Sequence, residues 1–209
     1  MKRKIWNVLI AFIVCLTMTL VGCQSAAHSG STRQQTQAPA PTENKILVVY
    51  FSYSGNTERV AEEITSQSGG KGVELVPAIP YTAADVNYND SNSRSQVERK
   101  NDARPELSEQ TYRQIELSDY DTVIIGYPIW NGYEPMLIRT FLEHYNGLSG
   151  KTVYTFSTAA SSGGSAAHNS VSGRVTGEVG SNLHFTSSTL SGMSTRVHDW
   201  LADLHLLAE

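Results

Sequence analysis

The sequence predicts an α/β domain in which five strands form one doubly wound parallel sheet, in the order 2-1-3-4-5, behind an N-terminal segment outside the fold. Three observations carry this. Runs such as Lys45-Ile-Leu-Val-Val-Tyr-Phe51 and Thr122-Val-Ile-Ile-Gly-Tyr127 are apolar without alternation, which is how a strand buried on both faces reads. Helical periodicities fall between such runs, so strands and helices alternate. The stretch 45–209 is long enough for one well-buried core. Right-handed crossovers then restrict the strand order.

The first segment reads as an address. Lys2, Arg3 and Lys4 precede an uncharged, almost wholly apolar run from Ile5 to Leu20. These are the n-region and h-region of a secretory signal. The run is short for a spanning helix of about 20 residues. It ends in Leu20-Val21-Gly22-Cys23, which resembles the lipobox of bacterial lipoproteins. The resemblance implies removal of residues 1–22 and lipidation of Cys23, leaving the chain anchored on the outer face of the cytoplasmic membrane. An uncleaved N-terminal anchor with an incidental Cys is the alternative. Residues 24–44 contain no Val, Ile, Leu or aromatic residue and read as a flexible tether. Its root-mean-square reach is roughly 25 Å.

Composition excludes several classes. With 16 Lys plus Arg against 20 Asp plus Glu, the formal charge is -4, the wrong sign for a protein that lives on nucleic-acid phosphates. Loss of the three signal cations makes the remainder more acidic still. Such a body could steer a basic partner. Only Cys15 and Cys23 are present, which rules out a disulfide scaffold and any four-cysteine metal site. The six His are scattered, and no metal site is expected.

The elements follow in order. Lys45–Phe51 is the first, central strand. Glu58–Gln67 is a helix with Val60, Ala61 and Ile64 on one face. Gly72–Val76 is a short strand stopped by Pro77. Residues 78–120 are too long and polar for a single crossover helix; Ser93–Lys100 and Ser108–Glu116 suit helices around a loop at Asp102–Pro105. Thr122–Tyr127 is the third strand. Pro135 opens a helix at a first-turn position, and Ile138, Phe141, Leu142 and Tyr145 form its apolar face. Lys151–Phe156 is the fourth strand. A helix over 165–175 is interrupted by Ser172 and Gly173. Leu183–Phe185 is a thin fifth strand, and Met193, Val197, Trp200, Leu201 and Leu204 recur at helical spacing.

Ligands of such sheets sit beyond the carboxyl ends of the strands, which selects three loops. The first is Ser52-Tyr53-Ser54-Gly55-Asn56-Thr57. It leads into a helix start, where free amides and the helix dipole favour an anion. Its hydroxyls and amides suit one phosphate monoester held by neutral donors. It lacks the lysine of a nucleoside-triphosphate loop. The plainer alternative is a Ser/Thr-rich turn with Thr57 as a helix cap.

This loop resembles the FMN phosphate loop of flavodoxins, written T/S-x-T/S-G-x-T. The similarity continues through Gly126-Tyr-Pro-Ile-Trp-Asn-Gly-Tyr-Glu-Pro135, Phe141-Leu142 and Gly150-Lys-Thr-Val153. Together these resemble the flavodoxin-like proteins that carry a polar insert before the third strand; Tyr81 and Arg104-Pro105 fall within that insert. The resemblance covers 45–209 and implies a flavodoxin-like fold with FMN as cofactor. It places Ser52, Tyr53, Ser54, Gly55, Asn56 and Thr57 on the phosphate. Pro128, Ile129, Trp130, Asn131 and Gly132 fall beside the isoalloxazine, with Trp130 as an aromatic wall. It also implies that the Asn131–Gly132 peptide can turn its carbonyl toward the reduced ring. Thr158, Ser161, Ser162 and Gly163 fall at the pyrimidine edge. Tyr81 and Tyr88 could reach the flavin from the insert, with surface packing as the plainer role.

The expected function is an FMN-binding electron-transfer protein tethered to the outer face of the membrane, serving a redox partner protein or a small acceptor. The chemistry is the flavin's, and no catalytic side chain is expected. An uncharged cradle in an acidic body should lower the flavin's potential. Two alternatives stand: an FMN-dependent reductase of quinone or another small acceptor, and a lipid-anchored binding module that has lost the flavin. There is no G-x-S-x-G for a serine hydrolase, and no acid pair after the first strand for a phospho-receiver.

Overall fold

The computed structural model describes residues 45–209. The expected signal segment 1–22, Cys23 and the tether to 44 lie outside the described residues. The described elements run β1 (Ile46–Tyr50), α1 (Asn56–Ser68), β2 (Lys71–Glu74), α2 (Arg94–Lys100), α3 (Glu109–Arg113), β3 (Thr122–Pro128), α4 (Met136–His144), β4 (Thr152–Ala159), α5 (Ser165–Ser172), β5 (Glu178–Thr186) and α6 (Met193–Asp203). The five strands form one sheet in the order β2-β1-β3-β4-β5, every pair parallel. This is the sheet the apolar runs predict. Among the described residues, no helix is long and apolar enough to cross a membrane.

The two faces of the sheet bury different side chains because successive residues of a strand point opposite ways. On β1, Leu47 and Val49 join Val123, Ile125, Tyr127 and Val153 beneath α4 and α5. Ile46 and Val48 join Ile124, Phe156, Leu183 and Phe185 beneath α1 and α6. The predicted apolar face of α1 is fully buried: Val60, Ala61 and Ile64 are all 0% exposed. Full burial of such a side chain stabilises by roughly 1.5–3 kcal/mol.

Pro135 is the N-cap of α4 rather than its first residue, with φ -61° and ψ 144°. The helix starts one residue later than expected, because the extended ψ of Pro135 lies outside the helical region. Helix α5 stops at Ser172, where Ser172 and Gly173 interrupt the pattern. Strand β5 is nine residues long, not three, and its first half is mostly exposed. An edge strand with one solvated side has no continuous apolar run to betray it.

The polar insert is an excursion with a closed neck. Pro77 and Leu107 form an antiparallel bridge at its base. Ala78 donates to the Glu106 carbonyl at 2.8 Å, and Ser108 donates to that of Val76 at 2.8 Å. Between these points the chain builds α2 and a series of turns, and then α3 leads back to β3. Thr140 Oγ1 donates to the Pro105 carbonyl at 2.9 Å, tying the returning chain to α4.

Candidate functional site

The carboxyl ends of β1, β3 and β4 bring the three predicted loops together. The Phe51 amide still donates to the Gly126 carbonyl at 3.0 Å, so the sheet holds the chain up to the first loop. The chain then turns into α1 through Gly55, whose φ of +83° is a left-handed conformation that favours glycine. Gly55 is the N-cap of α1, and no side chain caps the helix. Thr57 is therefore not the cap that the plainer reading required. The first amides of α1 are left without intrahelical partners. Among the described residues, no backbone carbonyl accepts from the amides of Tyr53, Ser54 or Gly55. The Ser52 hydroxyl oxygen is buried with no hydrogen-bond partner. No Lys or Arg occurs between Ser52 and Thr57.

Thr57 is 1% exposed, and its Oγ1 lies 2.8 Å from Oγ1 of Thr158 at the end of β4, 4% exposed. One hydrogen bond between two hydroxyls consumes one of their two hydrogens. The other remains available to an acceptor. The first and third loops are thus joined through one hydroxyl pair. Ser161, Ser162 and Gly163 continue the third loop at the surface, between β4 and α5.

The second loop is a tight hairpin. Pro128 ends β3 opposite Thr158, and the Ile129 amide donates to the Thr158 carbonyl at 2.7 Å. Trp130 and Tyr133 exchange backbone hydrogen bonds of 2.8 and 3.0 Å around Asn131 and Gly132. Both tip residues have positive φ, +51° and +85°, the signature of a type I′ turn. A Cβ on Gly132 would meet nothing within 4 Å, so glycine serves the backbone angle there and not close packing. Turning the Asn131–Gly132 peptide over would leave Gly132 relaxed. It would move Asn131 into a region essentially reserved for glycine, at about 1–3 kcal/mol.

Trp130 is the hub of an aromatic group. Its ring meets Phe51 at 5.4 Å, Tyr53 at 6.2 Å and Tyr81 at 5.0 Å, each edge-on. Phe51 and Tyr81 are buried, whereas Tyr53 is 40% exposed. Of the two insert tyrosines, the fold brings Tyr81 to the wall and leaves Tyr88 at the surface, 73% exposed. Burial drives the Tyr81 phenol well above its ordinary pKa, helped by its hydrogen bond to Glu98 Oε2 at 2.6 Å.

Sequence reasoning missed the cations behind this wall. Helix α2 lays Arg94 over Tyr81 at 4.0 Å and Arg99 over Tyr133 at 3.4 Å. Arg94 is neutralised by Glu98, with Nε to Oε1 at 2.6 Å. Arg99 has a buried Nη1 without a hydrogen-bond partner. Burial lowers its pKa, and the field of Glu134 opposes that. The spacing of Arg94 and Glu98 was a visible helix-pair signal; their position behind Trp130 was not.

Glu134 closes the second loop as a buried carboxylate, 2% exposed. Arg139 Nε and Ser170 Oγ both donate to its Oε1, at 2.9 and 2.8 Å. Arg139 also pairs with Asp102 of the insert at 2.6 Å. The Asp102 pKa is pulled down to about 2, first by the hydrogen bond from Arg104 and then by that from Arg139. This network fastens the insert, α4 and α5 to the root of the aromatic hairpin.

A parallel 2-1-3-4-5 sheet with an uncapped helix start and aromatic loops at its carboxyl edge is the architecture of mononucleotide-binding doubly wound proteins. The chain belongs to the flavodoxin family, whose model matches residues 45–202. A structure described as a flavoprotein from Bacteroides eggerthii is 32% identical, with a TM-score of 0.67, covering 77% of this chain and 98% of that one. One of the same description from Bacteroides uniformis is 35% identical, with a TM-score of 0.63, covering 76% and 98%. A flavoprotein from Lactobacillus acidophilus, solved in complex with FMN, shares the fold at 23% identity and a TM-score of 0.53, covering 72% and 99%.

Proposed function

We propose that this chain binds FMN and transfers electrons on the outer face of the cytoplasmic membrane, held there through lipidated Cys23. One observation carries the cofactor: the start of α1 lacks a side-chain cap and lies beside the partnerless, buried Ser52 hydroxyl. A buried polar atom without a partner is costly, and a phosphate oxygen satisfies it. The residues present therefore fit the group. Ser52, Ser54, Gly55, Asn56 and Thr57 would hold the phosphate, with Thr158 supporting Thr57. Glu58 is the one dissonant charge, since its Oε2 lies 4.0 Å from where a Gly55 Cβ would stand. The Trp130 hairpin and the Ser161–Gly163 segment would border the ring. FMN, when bound, supplies the redox chemistry; the protein orients it, shields it and sets its potential.

The family membership and the FMN complex of a fold neighbour support this reading. The anchor rests on the basic start, the short apolar run and Cys23. A reductase of a small acceptor is a second reading, favoured by the partly exposed Tyr53 and Tyr133 beside Trp130, which leave an aromatic surface open to solvent. The test is the visible spectrum of the full chain extracted from membranes. Oxidised-flavin absorption is expected; a colourless protein that also ignores added FMN would overturn the cofactor. Reduction by NADPH followed with and without quinone separates reductase from carrier. Cys23→Ser should abolish fatty-acid labelling and release the protein from the membrane; retained labelling would refute the anchor.

A further inference from the structure

We infer that His184 is a positioning residue for the third loop, holding the Ser162 carbonyl through a proton on its Nε2. The inference rests on the FMN reading for its purpose, but its geometry stands alone. His184 lies on β5, paired in register with Ser157 of β4. Its Nε2 is 2.9 Å from the Ser162 carbonyl oxygen. Its Nδ1 is 2.9 Å from Ser157 Oγ. A carbonyl only accepts, so Nε2 carries the proton. The Ser157 hydroxyl, which can donate or accept, completes the bond at Nδ1. One imidazole thus staples β4, β5 and the Ser161–Gly163 segment.

The surroundings are built for this contact. A Cβ at position 164 would stand 2.7 Å from Ser157 Oγ and 2.8 Å from His184 Nδ1, so the contact requires glycine there. The neighbouring cation, Arg196, donates to the backbone carbonyl of His184 at 3.0 Å and lies over Phe185, leaving the ring nitrogens alone. Among the described residues, no carboxylate bonds to the ring. Ser157 is 0% exposed, which denies it the access a nucleophile needs. The pair is therefore a brace and not a hydrolytic dyad. Thr158, the next residue, turns to the opposite face and meets Thr57. Adjacent residues of β4 thus serve different ends of the ligand: Thr158 the phosphate, and Ser157, through His184, the ring-side loop.

The test uses the full chain. In apo protein, nitrogen NMR of the histidine rings should show a proton on Nε2 of His184, slowed in exchange. In flavin titrations, His184→Ala should weaken FMN and riboflavin by the same factor, about three- to tenfold for one lost hydrogen bond. His184→Gln keeps a donor toward Ser162 and should recover most of the loss. An Nε2 without its proton in apo protein would overturn the inference. So would a loss confined to FMN, which would place the effect at the phosphate, or unchanged affinity for both ligands. If the wild-type chain binds neither flavin, the FMN reading fails, while the NMR result still decides the state of His184.

Discussion

Replacing Thr57 by valine removes one hydroxyl from a buried pair whose oxygens are 2.8 Å apart, while keeping the branched shape at a site only 1% exposed. Two consequences separate. In apo protein, Thr158 Oγ1 is left buried without its partner, at a cost of about 1–3 kcal/mol. For a domain of this size that lowers Tm by about 2–4 °C per kcal/mol. For the ligand, the pair has one hydrogen to give, and a bond to a charged acceptor contributes about 1.5–3 kcal/mol. FMN affinity should therefore fall by roughly 10- to 150-fold. Thr57 carries the hydrogen proposed to reach the phosphate and keeps it when Thr158 is removed, so Thr158→Val should cost less binding than Thr57→Val, and the double variant no more than Thr57→Val. The double variant should regain apo stability over either single, because no hydroxyl is orphaned. The assays are quenching of flavin fluorescence for Kd and thermal unfolding of apo protein. Losses that add in the double variant, or a Thr158→Val loss as large as that of Thr57→Val, would refute Thr57 as the donor.

Trp130→Ala removes three edge-on contacts and the ring's proposed wall, each aromatic pair being worth about 0.5–1.5 kcal/mol; weaker FMN binding and a shifted potential are expected, and an unaltered potential would remove Trp130 from the wall. Arg99→Gln takes away the cation behind Tyr133, so the potential should fall by some tens of millivolts, on the order of tenfold or less in the reduction equilibrium; a rise would reverse the sign of the argument. Asp102 has a folded pKa of about 2, below its ordinary value near 4, so the stability it contributes is complete above about pH 4 and is lost as pH falls toward 2. Acid titration of Asp102→Asn should lack that segment of the stability curve, and coincident curves would discount the link.

The sheet was legible because β1 and β3 are apolar on both faces, with Val153 and Phe156 of β4 entering opposite cores, and such runs have few other readings. β5 was legible only where Leu183 and Phe185 enter the core. Its polar half, Glu178–Asn182, pairs through its backbone, which leaves no trace in side-chain pattern. The turn from β1 through Gly55 into α1 was legible because glycine and hydroxyl residues at a strand–helix junction are a local signal. The bond from Thr57 to Thr158 spans 101 residues and was not. The insert resisted most: nothing local distinguishes Tyr81, which enters the aromatic wall, from Tyr88, which does not. The stacking of Arg99 on Tyr133 likewise depends on where the excursion folds back.

The closed neck at Pro77 and Leu107 makes the excursion a loop with a single doorway. Residues added or removed beyond that doorway need not shift the strands, because entry and exit are already fastened to each other. Evolution can therefore rewrite what the excursion sets beside the Trp130 hairpin without renegotiating the body that carries it.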